Sequence, residues 1–323
     1  MRAFRLDEIG GPPDLAELPT PEPGPGEVRV RIRAAALNFA DLLMIRGEYQ
    51  VRPALPFTLG MEAAGIVEAA GPGTDGPAPG ARVAVVAGTG ALADCGCFPA
   101  DACVPLPEGV TFEAAAASPI AYGTSHIALA DRAALAAGET LLVLGAAGGV
   151  GLAAVEVGRL LGARVIAVAR GGERLAAARA AGAEVLIDSA SADLKAALKA
   201  QGPLDVVFDP VGVPGFDAAL RALRPGGRLL TIGFASGTVP QVPANLLLVK
   251  NVTVIGFWFG GWMASFPARV RDSLETIFRW QAEGRLRPQI SHVLPLDRVA
   301  EGFEMLRSRA ATGKIVIRTG PAA

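Results

Sequence analysis

From Thr140 to Phe257 the chain alternates short apolar runs with segments of helical period. In order these are LLVLGA, GGVGLAAVEVGRLLGA, RVIAVA, GERLAAARAAGA, EVLIDS, DLKAALKAQ, LDVVFDPVG, FDAALRALRPGG, RLLTIGF and VTVIGF. Strands apolar on both faces must be covered on both, and the intervening amphipathic helices can do this only around a parallel sheet. The expected fold class is therefore α/β, with a doubly wound parallel sheet. At the first crossover the strand runs straight into Ala146-Ala147-Gly148-Gly149-Val150-Gly151 and an apolar helix. This is the G-x-G-x-x-G spacing, with Ala146 at the first position. Missing side chains let the backbone approach a pyrophosphate, and the helix N-terminus offers free N–H groups and a positive dipole end. Ala147, Gly148, Gly149, Val150 and Gly151 are the candidate dinucleotide cradle.

The next strand bears on which dinucleotide is held. A site for NAD usually ends that strand with Asp or Glu, which accepts from the ribose 2′-hydroxyl. Here the strand ends at Ala169, followed by Arg170-Gly171-Gly172-Glu173-Arg174. A missing carboxylate and two guanidiniums, Arg170 and Arg174, suit a 2′-phosphate and hence NADPH.

The flanks have a different texture. Residues 1–110 read as short strands punctuated by Gly/Pro turns, with Glu27–Ala34 alternating apolar and Arg residues as a half-buried strand should. Ala64–Ala69 and Arg82–Ala87 are further strands, separated by GPGTDGPAPG. After Trp258 a helix is expected over Phe266–Gly284, and HVLPL and KIVIRT read as strands returning to the first domain. The expected division is residues 1–117 with 258–323, a β-rich domain split around a doubly wound domain at 118–257.

Composition narrows the partners. Lys+Arg 30 against Asp+Glu 31 leaves no basic excess for nucleic acid or anionic lipid. The uncharged stretches are broken by Pro, Gly, Asn and His, so no membrane span is expected. The start, MRAFRLDEIGGPP, lacks an apolar h-region, and a cytoplasmic protein is expected. Cys 3 and His 2 in 323 residues leave little to build a zinc site with. Cys95, Cys97 and Cys103 read as small buried hydrophobes, and His126 and His292 as packing or surface residues.

Five segments together carry a resemblance over nearly the whole chain: AAALNFADLLMIRGEY (34–49), PFTLGMEAAGIVEAAGPG (56–73), ASPIAYGTSHIAL (117–129), LGAAGGVGLAAVEVGRLLGARVIAVAR (144–170) and NLLLVKNVTVIGFWFG (245–260). The sequence resembles the medium-chain dehydrogenase/reductase superfamily, specifically its zinc-independent quinone oxidoreductase branch. The resemblance implies a GroES-like catalytic domain beside a Rossmann domain, an active site in the cleft between them, and a homodimer paired through the last Rossmann strand, here Val252–Phe257. The zinc branch keeps a Cys ligand near the position of Asn38, a His at that of Met61, and a four-cysteine lobe; none is matched, so no metal is expected. The implied catalytic residues are Asn38 and Asp41 as polar groups near the cleft and Tyr49 as proton donor. Thr124, Gly233, Phe257 and Phe259 are implied at the nicotinamide end. Asn38 and Lys314 are also counted with the cofactor contacts. Ser189, in Ile187-Asp188-Ser189, stands where many NADPH-dependent relatives have the tyrosine of an Ile-Asn-Tyr segment, and Asp188 adds a negative charge there.

Without a Lewis acid, hydride must go to an acceptor that is already electron-poor. The expectation is an NADPH-dependent quinone reductase. A reductase of 2-alkenals or enoyl-thioesters is the alternative, and a non-catalytic NADPH-binding structural or RNA-binding protein a second one.

Overall fold

The computed structural model describes residues 1–319. It divides into two compact units, one comprising Met1–Ile120 and the chain from Phe266 onward, the other Ala121–Ser265.

The second unit is built on six parallel strands. Their order across the sheet is Val185–Asp188, Arg164–Ala169, Thr140–Leu144, Leu204–Asp209, Leu223–Thr231 and Thr253–Gly256. In sequence terms this is 3-2-1-4-5-6, the Rossmann order, with the direction of winding reversing between Thr140–Leu144 and Leu204–Asp209. Helices Gly149–Leu160, Gly172–Ala180, Leu194–Ala200 and Gly215–Ala222 form the crossovers. Leu142, Leu144, Ile166, Val168, Val207, Phe216, Leu220 and Leu229 pack into one buried cluster. The helix expected across FDAALRALRPGG ends at Ala222, and Leu223–Thr231 is strand. Pro225 has no N–H to continue a helix, and Gly226 has φ +77°, with its N–H bonded to Asn251 O at 2.7 Å.

The first unit holds an antiparallel-rich sheet whose path runs Ile290–Pro295, Lys314–Arg318, Glu27–Ala36, Glu62–Ala70, Arg82–Val86 and Cys103–Pro105, with Cys95–Pro99 also paired to Glu27–Ala36. The C-terminal strands thus complete the N-terminal sheet: Val316 pairs with Ala36 and Ile317 with Ala35. Phe4, Val30, Ile32, Leu37, Leu42, Leu59, Val85, Phe303 and Ile315 belong to its core. Burial pushes the Cys97 thiol up to about 11 and the Cys103 thiol up to about 12, so both are protonated at neutral pH.

The second unit continues to Ser265, beyond the boundary expected at residue 257. The helix Phe259–Ser265 belongs to it because Phe257 and Trp262 pack as tilted rings at 5.7 Å between centroids and Arg132 lies over the Trp262 ring at 5.2 Å. The expected helix over Phe266–Gly284 spans Pro267–Ala282, with proline at the first turn where no N–H is needed.

Candidate functional site

In the Rossmann unit the strand Thr140–Leu144 hands over to the glycine loop through Gly145, whose φ of +60° turns the chain sharply. Ala146 N–H bonds Val168 O at 3.0 Å, tying the loop to the next strand. Gly148 is the N-cap of Gly149–Leu160 and is exposed. The nearest heavy atom to a Cβ built on it is 3.6 Å away, so the space above the loop is open. Leu152 N–H is the first to bond back, to Gly148 O at 2.9 Å, leaving the first-turn N–H groups of Gly149, Val150 and Gly151 without intrahelical partners. Gly151 has a different task. A Cβ there would lie 2.2 Å from Gly145 O, so only glycine lets helix and strand meet. Ala147 is buried beneath the loop.

One strand over, Ala169 is buried while Arg170 is exposed and Arg174 half-buried on the helix that follows. Ala169 pairs with Asp188 in parallel register, and Ser189 N–H donates to Ala169 O at 2.9 Å. The structure therefore brings Arg170 and Ser189 to the same carboxyl edge, beside the glycine loop. Asp188 is engaged by backbone N–H groups. Its Oδ1 accepts from Gly171 N–H at 3.1 Å and Ala190 N–H at 2.9 Å. Those two bonds, Ala190 first, together with the Arg170 charge, hold its carboxyl below the usual range.

Thr124 lies buried in the helix Ala121–His126. That helix is pinned to the cofactor-loop helix by Tyr122 Oη donating to Glu156 at 2.7 Å and Ser125 Oγ donating to Val150 O at 3.1 Å. Gly233 has ordinary space: a Cβ would meet Pro210 O at 3.5 Å. Phe257 and Phe259 are both buried.

In the first unit, Asn38 and Lys314 converge on a residue to which the sequence assigned no role, Glu62, and Asp41 bonds to Asn38. Lys314 Nζ donates to Glu62 Oε1 at 2.7 Å, to Asn38 Oδ1 at 2.7 Å and to Leu37 O at 3.0 Å. Asn38 Nδ2 donates to Glu62 Oε1 at 2.8 Å, and Glu62 Oε2 accepts from Ile120 N–H at 2.8 Å. Lys314 is buried and all three ammonium hydrogens are used inside the unit, which makes it a structural cation of this network. The Asn38 amide is likewise taken up inside this network.

Asn38 caps the helix Phe39–Ile45 with extended φ and ψ, and its N–H donates to Asp41 Oδ2 at 2.8 Å, half of a capping box. Asp41 is fully buried, and its Oδ1 makes no hydrogen bond of ordinary geometry. Burial drives its carboxyl up to about 7, with the N–H groups of Asn38 and Gly60 and the Lys314 charge pulling down and the Glu62 charge pushing up. Tyr49 follows that helix, half-buried against the core. Met61 is also core. The Glu62–Lys314 pair had no local signal, since its partners lie 252 positions apart.

A Rossmann sheet with an open glycine loop, in a chain whose other unit is closed by its own C-terminal strands, defines the medium-chain dehydrogenase/reductase class. Residues 24–108 match the alcohol dehydrogenase GroES-like domain family, and residues 149–278 the zinc-binding dehydrogenase family. The chain is 39% identical over 286 residues to quinone oxidoreductase-like protein 2 of Bos taurus, covering 87% of this chain and 82% of that one. The quinone oxidoreductase of Thermus thermophilus, solved also with NADPH, superposes with a TM-score of 0.87 at 38% identity, covering 99% of this chain and 100% of that one. The NADPH complex of Escherichia coli quinone oxidoreductase gives 0.89 at 28% identity over 98% of this chain and 99% of that one. This chain belongs to the quinone oxidoreductase branch of the medium-chain dehydrogenase/reductase superfamily. Among the described residues no helix is long and apolar enough to cross a membrane.

Proposed function

We propose that this protein is an NADPH-dependent oxidoreductase that delivers hydride to a quinone without a catalytic metal. One observation carries the cofactor assignment: beside the open glycine loop, Ala169, Arg170 and Ser189 form a strand edge with an exposed guanidinium where an NAD site would keep a carboxylate. NADPH, when bound, supplies a hydride at nicotinamide C4. The first-turn N–H groups of Gly149, Val150 and Gly151 hold the pyrophosphate, and Arg170 with Ser189 holds the 2′-phosphate. Thr124, Gly233, Phe257 and Phe259 are assigned to the nicotinamide end on the family pattern.

Asn38 and Met61 stand where the zinc branch keeps ligands, and neither side chain is available to a metal: one is hydrogen-bonded inside the Lys314 network, the other packed in the core. The acceptor must then bring its own electrophilicity, as a quinone does. Tyr49 is the proposed proton donor to the reduced acceptor. The strand Thr253–Gly256, paired on one side only, is the proposed seam of a homodimer, since an apolar edge favours pairing with a second copy.

The test is a panel: NADPH oxidation with 1,4-benzoquinone, 9,10-phenanthrenequinone, trans-2-hexenal and crotonyl-CoA. Turnover highest on the quinones supports the reading. Turnover confined to hexenal or crotonyl-CoA moves the protein to the alkene reductases. Purified protein that shifts NADPH fluorescence but turns over no acceptor of the panel is the non-catalytic NADPH-binding member.

A further inference from the structure

The one residue that argues against a 2′-phosphate is Asp188, a carboxylate at the end of the strand next to Arg170. A free carboxylate there would repel the phosphate and accept from a 2′-hydroxyl. The hydrogen bonds assign it to something else. Asp188 Oδ1 accepts from Gly171 N–H at 3.1 Å and from Ala190 N–H at 2.9 Å, bridging the loops that leave two adjacent strands. Gly171 directly follows Arg170 and caps the next helix with φ +84°, while Ala190 directly follows Ser189. Nothing lies within 4 Å of a Cβ built on Gly171, so the Cβ side of that turn is open. Ser189 N–H to Ala169 O, at 2.9 Å, also ties this edge together.

We infer that Asp188 is a positioning residue for cofactor selection: it clamps the Arg170–Gly171 turn to the Ser189–Ala190 turn, so that guanidinium and hydroxyl converge on one phosphate. The inference rests on the NADPH reading. A carboxylate that would select against NADPH if it were free selects for it by holding the turns. The 2′-hydroxyl of NADH makes no use of that convergence, so the clamp acts on the ratio of the two affinities.

The experiment measures dissociation constants for NADPH and NADH, by cofactor fluorescence titration, for the wild type, Asp188→Ala and Asp188→Asn. Asp188→Ala removes the acceptor for two N–H groups and is expected to weaken NADPH about fivefold or more, with NADH changed less than about twofold. Asp188→Asn keeps an oxygen acceptor without the charge and is expected to retain the wild-type preference or exceed it. An Asp188→Ala variant that keeps or sharpens the NADPH preference overturns the clamp, as does an equal loss in both variants. A wild type that binds NADH and NADPH alike overturns the cofactor reading itself, an outcome distinct from the other two.

Discussion

Lys314 Nζ and Glu62 Oε1 lie 2.7 Å apart with the two side chains 4% and 0% exposed, which makes theirs the most deeply buried ion pair among the described residues. The pair joins the C-terminal strand Lys314–Arg318 to Glu62–Ala70, and through Asn38 and Ile120 it also fixes the start of the helix Phe39–Ile45 and the end of the unit's N-terminal portion. Unit closure and helix placement therefore share one charge cluster.

Breaking that pair from one side leaves a buried charge unmatched. Lys314→Met is expected to destabilise the GroES-like unit by ~3–5 kcal/mol, read as a lowered urea midpoint. NADPH affinity should hold in conditions where the variant is folded, because the three ammonium hydrogens are all used by Glu62, Asn38 and Leu37. A several-fold loss of NADPH affinity in folded Lys314→Met would restore the residue to the cofactor site.

Asp41 gives stability a pH dependence with a definite sign. Its folded pKa is raised to about 7, so between the usual carboxylate range and pH 7 the folded state keeps a proton that the unfolded state releases. Stability from this group is full below the unfolded pKa, declines as pH rises through the window, and levels off above about 7. The slope for one proton approaches ~1.4 kcal/mol per pH unit. Asp41→Asn should remove that slope, so the stability difference between variant and wild type grows in the variant's favour from about pH 4.5 to 7. A difference that is flat over this range would contradict the assignment.

Gly151→Ala places a methyl group 2.2 Å from Gly145 O and 3.0 Å from Ala146 Cα, both backbone atoms. The helix must shift away from the strand, at an expected cost of ~1–3 kcal/mol. Because the first-turn N–H groups move with it, NADPH affinity should fall together with stability. Gly233→Ala, with 3.5 Å available to Pro210 O, serves as the comparison and should leave stability within about 0.5 kcal/mol.

Arg170→Ala removes the exposed guanidinium assigned to the 2′-phosphate. NADPH should bind ~10–100-fold more weakly, and NADH no differently, in parallel titrations. Equal preference for the two cofactors in both wild type and variant would remove Arg170 from cofactor selection.

Tyr49→Phe keeps the ring in its half-buried place and deletes the phenolic hydroxyl, the group that carries the proton. If Tyr49 supplies the proton, kcat on trans-2-hexenal should drop ~100-fold with NADPH affinity unchanged. Undiminished turnover on every acceptor of the panel would take Tyr49 out of the chemistry.

The parallel sheet, the glycine loop and the arginine-bearing strand end were legible in the sequence because each depends on neighbours in the chain. Strand periodicity, the run Ala146–Gly151 and the replacement of a carboxylate by Ala169 and Arg170 are all short-range signals. The return of the C-terminal strands was legible too, from their β character beyond the last Rossmann strand. Three things were decided only by tertiary structure. Lys314 became a structural cation because Glu62 and Asn38, 252 and 276 positions away, use up its hydrogens. Asp188 is engaged by backbone N–H groups through the direction its side chain takes, which composition does not encode. The second unit ends at Ser265 rather than at 257 because Trp262 packs back on Phe257. Local sequence set the elements and the chemistry each can offer. Which polar groups remain free to meet a ligand was settled by the fold, since burial obliges every distant donor and acceptor to find its partner.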